Sequence, residues 1–190
     1  MNEMNLKELN NEDIEIIYNE HMIKDFPYGE LKPLDVIQKL NKRKNYICIG
    51  LYNNNELLAY ALLASSKSYL LIDYYAVCKD HRDEGIGSEF LNILQEHFRN
   101  YDGIIVEVER VECGPNESEK IIRKRRIDFY KRNGMRMTNI YCKLFDIDYC
   151  IMCLCNVDLE DLAIYTGLKD IYKEIIPGSL YSKYVELSYV

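Results

Sequence analysis

The segment that most constrains the fold is an apolar run, Tyr69 to Cys78, that passes through Arg82-Asp83-Glu84-Gly85-Ile86-Gly87-Ser88 into a stretch with a helical stripe. Leu, Ile, Tyr and Val favour a strand in the run, and Phe90, Leu91, Leu94 and Phe98 predict a helix over Ser88 to Arg99. A helix fed by a glycine-bearing loop offers its first free N–H groups to an arriving anion, and glycines remove the Cβ atoms that would block close approach. The expectation is a phosphate site. Gly85 and Gly87 do not complete a dinucleotide pattern, because Phe90 stands where a third glycine is needed, and no Gly-Lys-Ser/Thr run makes a nucleotide P-loop.

Around this segment the pattern alternates between helix and strand. Ile14, Ile17, Tyr18 and Met22 predict a helix over Glu12 to Ile23, ended by Phe26-Pro27-Tyr28-Gly29, and Pro33 opens a second short helix through Leu34, Ile37 and Leu40. Tyr46 to Tyr52 and Leu57 to Ala64 form a hairpin across Asn53-Asn54-Asn55, since Asn tolerates positive φ. Gly103 is expected as a stop, followed by a strand from Ile104 to Glu109 with one apolar and one polar face. Glu117 to Asn133 is a charged helix closed by Gly134, Met137 to Leu144 and Tyr149 to Cys155 form a late hairpin, and Leu159 to Ile175 is the final helix. A mixed sheet with helices on both faces is the simplest packing of these elements.

Tyr74-Tyr75-Ala76-Val77, followed by Arg82-x-x-Gly85-x-Gly87 and the Leu91/Leu94 helix, resembles motif A of the GNAT superfamily of N-acetyltransferases. Arg126-Ile127-Asp128-Phe129-Tyr130-Lys131-Arg132-Asn133-Gly134-Met135 resembles the second signature of that family, an aromatic–Tyr pair in a helix that ends at Gly before an apolar residue. The resemblance covers Tyr69 to Met135. It implies the α/β GNAT fold, with a mixed, mostly antiparallel central sheet, as a single domain over residues 1–190. The cofactor core would be about 69–135, with a C-terminal hairpin and helix in 136–190.

The resemblance also implies acetyl-CoA as cosubstrate and direct transfer of its acetyl group to a primary amine. The amides of Arg82, Asp83, Glu84, Gly85, Ile86, Gly87 and Ser88 would hold pyrophosphate, with Arg82 adding charge. Ala76 and Val77, where the strand splays from its neighbour, would receive the pantetheine arm as an added strand. Asp83 and Glu84 depart from the basic residue and glycine frequent there. Arg126 aligns with the second signature and is a candidate for the 3′-phosphate, and Tyr130 matches the tyrosine that faces the CoA sulfur. Its retention favours an enzyme over the alternative, a non-catalytic CoA-binding sensor or protein-interaction module of the same fold.

A transferase of this kind must keep the amine neutral and stabilise the departing thiolate. Asp73 lies four residues before Val77 on the same strand face, and Glu107 and Glu109 share a face of the next strand. Glu109 and Asp73 are equal candidates for the base. His81 and His97 are expected at the surface. The acidic residues suit a cationic acceptor such as a polyamine, aminoglycoside or protein lysine, with Asp25 to Leu31 as one wall.

Composition closes other classes. The longest apolar runs, Tyr69 to Ile72 and Cys150 to Cys155, fall short of the roughly 20 residues that cross a bilayer, and Met1 to Asn10 lacks a secretory pattern. A cytoplasmic protein that does not engage a membrane is expected, as monomer or homodimer. A net charge of −7 opposes binding to nucleic acid. Seven cysteines without framework spacing suggest reduced thiols, and Cys150-x-x-Cys153-x-Cys155 occupies an apolar strand rather than the turn a zinc site prefers, so no metal is expected.

Overall fold

Asn10 starts the first helix. Its side-chain oxygen accepts from the N–H groups of Glu12 at 2.8 Å and Asp13 at 2.9 Å, and the Asp13 carboxylate accepts from the Asn10 N–H at 3.1 Å, a complete capping box. In the computed structural model, which describes residues 4–157 and 159–190, helix α1 (Asn11–Ile17) then passes into a π-helical turn at Tyr18–Met22 and a last α turn at Ile23–Asp25. The chain forms two compact units, one drawn from residues up to Ala64 with Asp73–Leu91, the other from Ser65–Ile72 with Asn92–Val190.

In the first unit, α1 buries Ile14 and Ile17, and α2 (Leu34–Asn41) begins after Pro33 and buries Ile37 and Leu40. Each such side chain contributes about 1.5–3 kcal/mol when fully removed from water. Strands β2 (Tyr46–Asn53) and β3 (Glu56–Ser65) form the expected hairpin, with Asn54 at φ 55° in its turn. An additional strand, β1 (Met4–Glu8), pairs antiparallel with β2. β4 (Tyr69–Val77) contributes its second half to this unit.

In the second unit, the first half of β4 pairs in parallel with β5 (Gly103–Glu109), from Tyr69↔Gly103 to Ile72↔Val106, where the register ends. β6 (Arg136–Leu144) and β7 (Ile147–Cys155) form the late hairpin, and positive φ at both Phe145 and Asp146 gives the turn whose twist matches its strands. β7 pairs antiparallel with β5, and β8 (Val185–Tyr189) with β6. The strand order is β1-β2-β3-β4-β5-β7-β6-β8, an open, mainly antiparallel sheet of eight strands in a mixed α/β fold.

α3 (Ile86–His97) follows the glycine loop, and α4 (Glu117–Arg132) is capped by the Asn116 side chain and closed by Gly134 at φ 86°. α5 (Asp161–Ile175) buries Ile164, Leu168, Ile171, Tyr172 and Ile175. It packs so near β4 that a Cβ at Gly167 would collide with the Tyr69 ring.

Several expectations are corrected. Gly103 begins β5 instead of marking a stop: it pairs with Tyr69 and Cys155, and it is glycine because a Cβ there would press on the Cys153 sulfur at 2.9 Å. α5 is not the last element: α6 (Gly178–Tyr184) and β8 follow. β5 has no solvated polar face, since Glu109 is buried and Glu107 half-buried.

Candidate active site

After β4 ends at Val77, a 3-10 turn at Lys79–His81 leads into the loop. Asp83 and Gly85 take φ of 66° and 83°. Nothing lies within 4 Å of a Cβ built on Gly85, so its backbone conformation, not space, calls for glycine. The Glu89 N–H donates to the Gly85 carbonyl at 3.1 Å, the first bond of α3. The helix therefore starts at Ile86, two residues before the expected Ser88, and Ile86, Gly87 and Ser88 form its first turn, where N–H groups lack an intrahelical acceptor.

Side chains brace this turn. Arg82 Nε donates to the Val77 carbonyl at 3.0 Å, and a second guanidinium nitrogen donates to Asp25 Oδ1 at 2.5 Å. Asp25 Oδ2 accepts from the Tyr60 hydroxyl at 2.8 Å, and burial pushes that phenol well up from its ordinary pKa. The Tyr75 hydroxyl donates to the Gly87 carbonyl at 2.5 Å, and its ring stacks on Phe90 with centroids 5.3 Å apart. Asp83 and Glu84 are exposed, and His81 lies between Glu56 at 3.1 Å and Glu84 at 3.8 Å.

Further back on β4, Asp73 accepts from Lys32 Nζ at 2.6 Å and from the Tyr46 hydroxyl at 2.5 Å. Burial, then the Asp73 charge, raises the Tyr46 phenol. Tyr74 accepts from the Lys32 N–H at 2.8 Å and donates to the Glu30 carbonyl at 2.9 Å, while its ring meets Phe26 edge-on at 5.0 Å. The segment from Asp25 to Lys32 is thus tied to β4 and to the loop by Arg82, Asp73 and Tyr74. Sequence reasoning named Asp73, Arg82 and the Asp25–Leu31 wall; it missed Lys32, Tyr46 and Tyr60, whose partners are remote along the chain.

In the second unit, Glu109 is 7% exposed and accepts through Oε2 from Arg126, which stands one turn before Tyr130 on α4. Tyr130 is 5% exposed, packs edge-on against Phe129, and its hydroxyl makes no hydrogen bond among the described residues. Burial raises its pKa to about 12, with the Arg126 charge pulling down and Glu109 pushing up. Glu107 accepts from the Tyr172 hydroxyl of α5, a partner sequence reasoning did not find. Arg123 donates to the Arg110 carbonyl at 2.9 Å.

Among the described residues no group of three or more His, Cys, Asp or Glu is placed to hold a metal ion, and no helix is long and apolar enough to cross a membrane.

A protein-family model described as "Acetyltransferase (GNAT) family" matches residues 9–135. No curated protein matches the chain. Among solved structures, a GNAT-family chain from Bacteroides thetaiotaomicron is similar with TM-score 0.74 at 20% identity, covering 92% of this chain and 98% of that one. The ribosomal-protein-S18-alanine N-acetyltransferase of Escherichia coli is similar with TM-score 0.61 at 18% identity, covering 84% and 97%. A Bacillus subtilis acetyltransferase in complex with CoA is similar with TM-score 0.53 at 15% identity, covering 80% and 97%.

Proposed function

Because the chain belongs to the acetyltransferase (GNAT) family, we propose that residues 1–190 act as one cytoplasmic domain that transfers acetyl from acetyl-CoA directly to a primary amine. The observation that carries this reading is the first turn of α3, presented after the left-handed Gly85 at the end of β4. Its amides are the pyrophosphate donors. Arg82 is occupied by Asp25 and Val77, so it shapes the loop more than it supplies free charge, and Asp83 and Glu84 face solvent. β4 runs on past the end of its register with β5, and Ala76 and Val77 on that extension are assigned to the pantetheine arm.

In the reaction the amine nitrogen attacks the thioester carbonyl, the new C–N bond replaces C–S, and the amine proton passes to a carboxylate, Glu109 or Asp73. Tyr130 serves the departing sulfur. A phenol near pKa 12 keeps its proton against an alkyl thiolate near 8.5, so it acts chiefly as a hydrogen-bond donor to the developing charge. Arg126, which donates to Glu109, is assigned to the cofactor's 3′-phosphate. A cationic amine bound against the Asp25–Leu31 wall is the acceptor class this reading favours.

Calorimetry with acetyl-CoA, followed by mass detection of acetylated products from polyamines, aminoglycosides, lysine peptides and alanine-terminated peptides, tests the proposal. At 100 times the dissociation constant, acetyl-CoA should add about 2.7 kcal/mol of stability. Gly87→Val should bind no acetyl-CoA while keeping its fold. Absence of binding by the native chain overturns the reading, and binding without transfer to any amine would identify a sensor.

A further inference from the structure

The acetyl-transfer chemistry leaves the cysteine run of β7 unused. Cys153 and Cys155 stand two residues apart on one strand and so share a face. Their sulfurs are 3.1 Å apart. The room for this comes from Gly103, the β5 partner of Cys155, where any Cβ would come within 2.9 Å of the Cys153 sulfur. Cys153 is fully buried, whereas Cys155, the last residue of β7, is half-exposed. Arg136 lies opposite Cys153 in the β6–β7 register, and its guanidinium is held by Asp161 at 2.6 Å and the Leu159 carbonyl at 2.7 Å. The other cysteines are placed differently: Cys150 donates to the Val108 carbonyl at 3.2 Å, the Cys142 sulfur lies 3.5 Å from the Tyr172 hydroxyl, Cys48 and Cys78 are buried in the first unit, and Cys113 is exposed.

We propose that Cys153 and Cys155 form a dithiol site that a hydroperoxide oxidises to a reversible disulfide within β7. The half-exposed sulfur is the one an oxidant reaches, and the buried one is already in place to resolve it. The electrostatics agree: the hydrogen bond between the two sulfurs and the Arg136 charge draw the Cys155 thiol below its ordinary value against the opposing effect of burial, while Cys153 is pushed up. Thiolate is the reactive form.

In the first step the Cys155 thiolate attacks the terminal oxygen of the hydroperoxide. An S–O bond forms, the O–O bond breaks, and the alkoxide or hydroxide takes up a proton, leaving Cys155 as a sulfenic acid. In the second step the Cys153 sulfur attacks the Cys155 sulfur; S–S replaces S–O, and hydroxide leaves with the Cys153 proton as water. Two thiols lose two electrons, and the hydroperoxide becomes an alcohol, or water, plus water. Residues i and i+2 of an extended strand lie about 6.6–6.8 Å apart at Cα, the upper limit of what a disulfide spans. The bond therefore pulls on the end of β7, which the bend at Asn156 and Val157 allows to yield, and a strained disulfide is readily reduced again.

The test uses the full chain, without CoA, exposed to hydrogen peroxide, quenched with an alkylating agent and mapped as non-reduced peptides. The peptide holding both residues should lose two hydrogens, regain them with a reductant, and react about tenfold faster than Cys113. Fragment spectra should leave Cys150 alkylated. Cys153→Ser should convert Cys155 to a sulfenic acid that dimedone traps, and Cys155→Ser should leave Cys153 as a free thiol. Accumulation of sulfinic Cys155 beside a free Cys153 thiol in the native chain would overturn the proposal. So would oxidation of Cys113 ahead of the pair, or a disulfide to any other cysteine.

Discussion

Asp73 on β4 and Glu109 on β5 both carry a carboxylate beside a cation, yet they are held differently. Asp73 gives Oδ1 to Lys32 and Oδ2 to the Tyr46 hydroxyl, so both oxygens are engaged. Glu109 gives Oε2 to Arg126, and its Oε1 takes no hydrogen bond among the described residues. A carboxylate with one bond to each oxygen has fewer lone pairs open to a proton, and protonation weakens the attraction of both its donors. One with an open oxygen accepts it there and, though neutral, keeps the hydrogen bond its other oxygen receives. On this comparison Glu109 is the stronger candidate for the base, and Asp73 is a brace that fixes Lys32 and the segment before it.

The largest effect should come from Glu109→Gln, which keeps size and removes the proton acceptor. The expected loss in kcat is roughly 10²–10⁴-fold with little change in the KM for acetyl-CoA, measured by steady-state release of CoA thiol. If Glu109→Gln stays near native rates and Asp73→Asn takes the loss instead, the comparison is reversed.

Tyr130→Phe should be next, at roughly 10²-fold in kcat, because the ring stays and only the donor to sulfur goes. A phenol at about 12 is protonated throughout the neutral range and loses its donor only as pH climbs toward that value. The kcat profiles of the native and Tyr130→Phe enzymes should therefore run parallel from about pH 6 to 10. A native limb near pH 8–9 that vanishes in the variant would instead make Tyr130 a titrating acid.

The smallest effect on turnover belongs to Asp73→Asn. Its kcat should fall by no more than about threefold, while the amine KM rises about tenfold as Lys32 loses its anchor. Urea unfolding should show a cost of about 1 kcal/mol, modest because Lys32 remains 28% exposed. A variant with native amine KM would show that the Lys32 tie does not shape the acceptor wall.

The strand–glycine–helix geometry of the loop proposed for the cofactor was legible in the sequence because its determinants are local and contiguous. Its boundary was less so. The helix begins at Ile86, where the left-handed backbone of Gly85 ends; Ile86 stands four residues before Phe90 and so belongs to the apolar stripe, but Gly87 beside it reads as loop. Asp73 was legible as a candidate, whereas Lys32, 41 residues away, and Tyr46, 27 away, were not. Nor did the pattern of β5 show that Arg126 and Tyr172, on helices later in the chain, would cover its acidic positions. The edge strands β1 and β8 have five residues each, too few for alternation to stand out.

The π-helical turn at Tyr18–Met22 has a consequence for the phase of everything that follows it. A π turn carries one residue more than an α turn, and one residue is about 100° of rotation. Asp25, three residues past that turn, meets Tyr60 and Arg82 in the phase this extra residue sets. Wound as uninterrupted α-helix, the same residues would carry Asp25 about a quarter-turn round the axis, and the brace on the loop would be lost without any change in composition. One wide turn, rather than the chemistry of any side chain, keeps the helix and the loop in step.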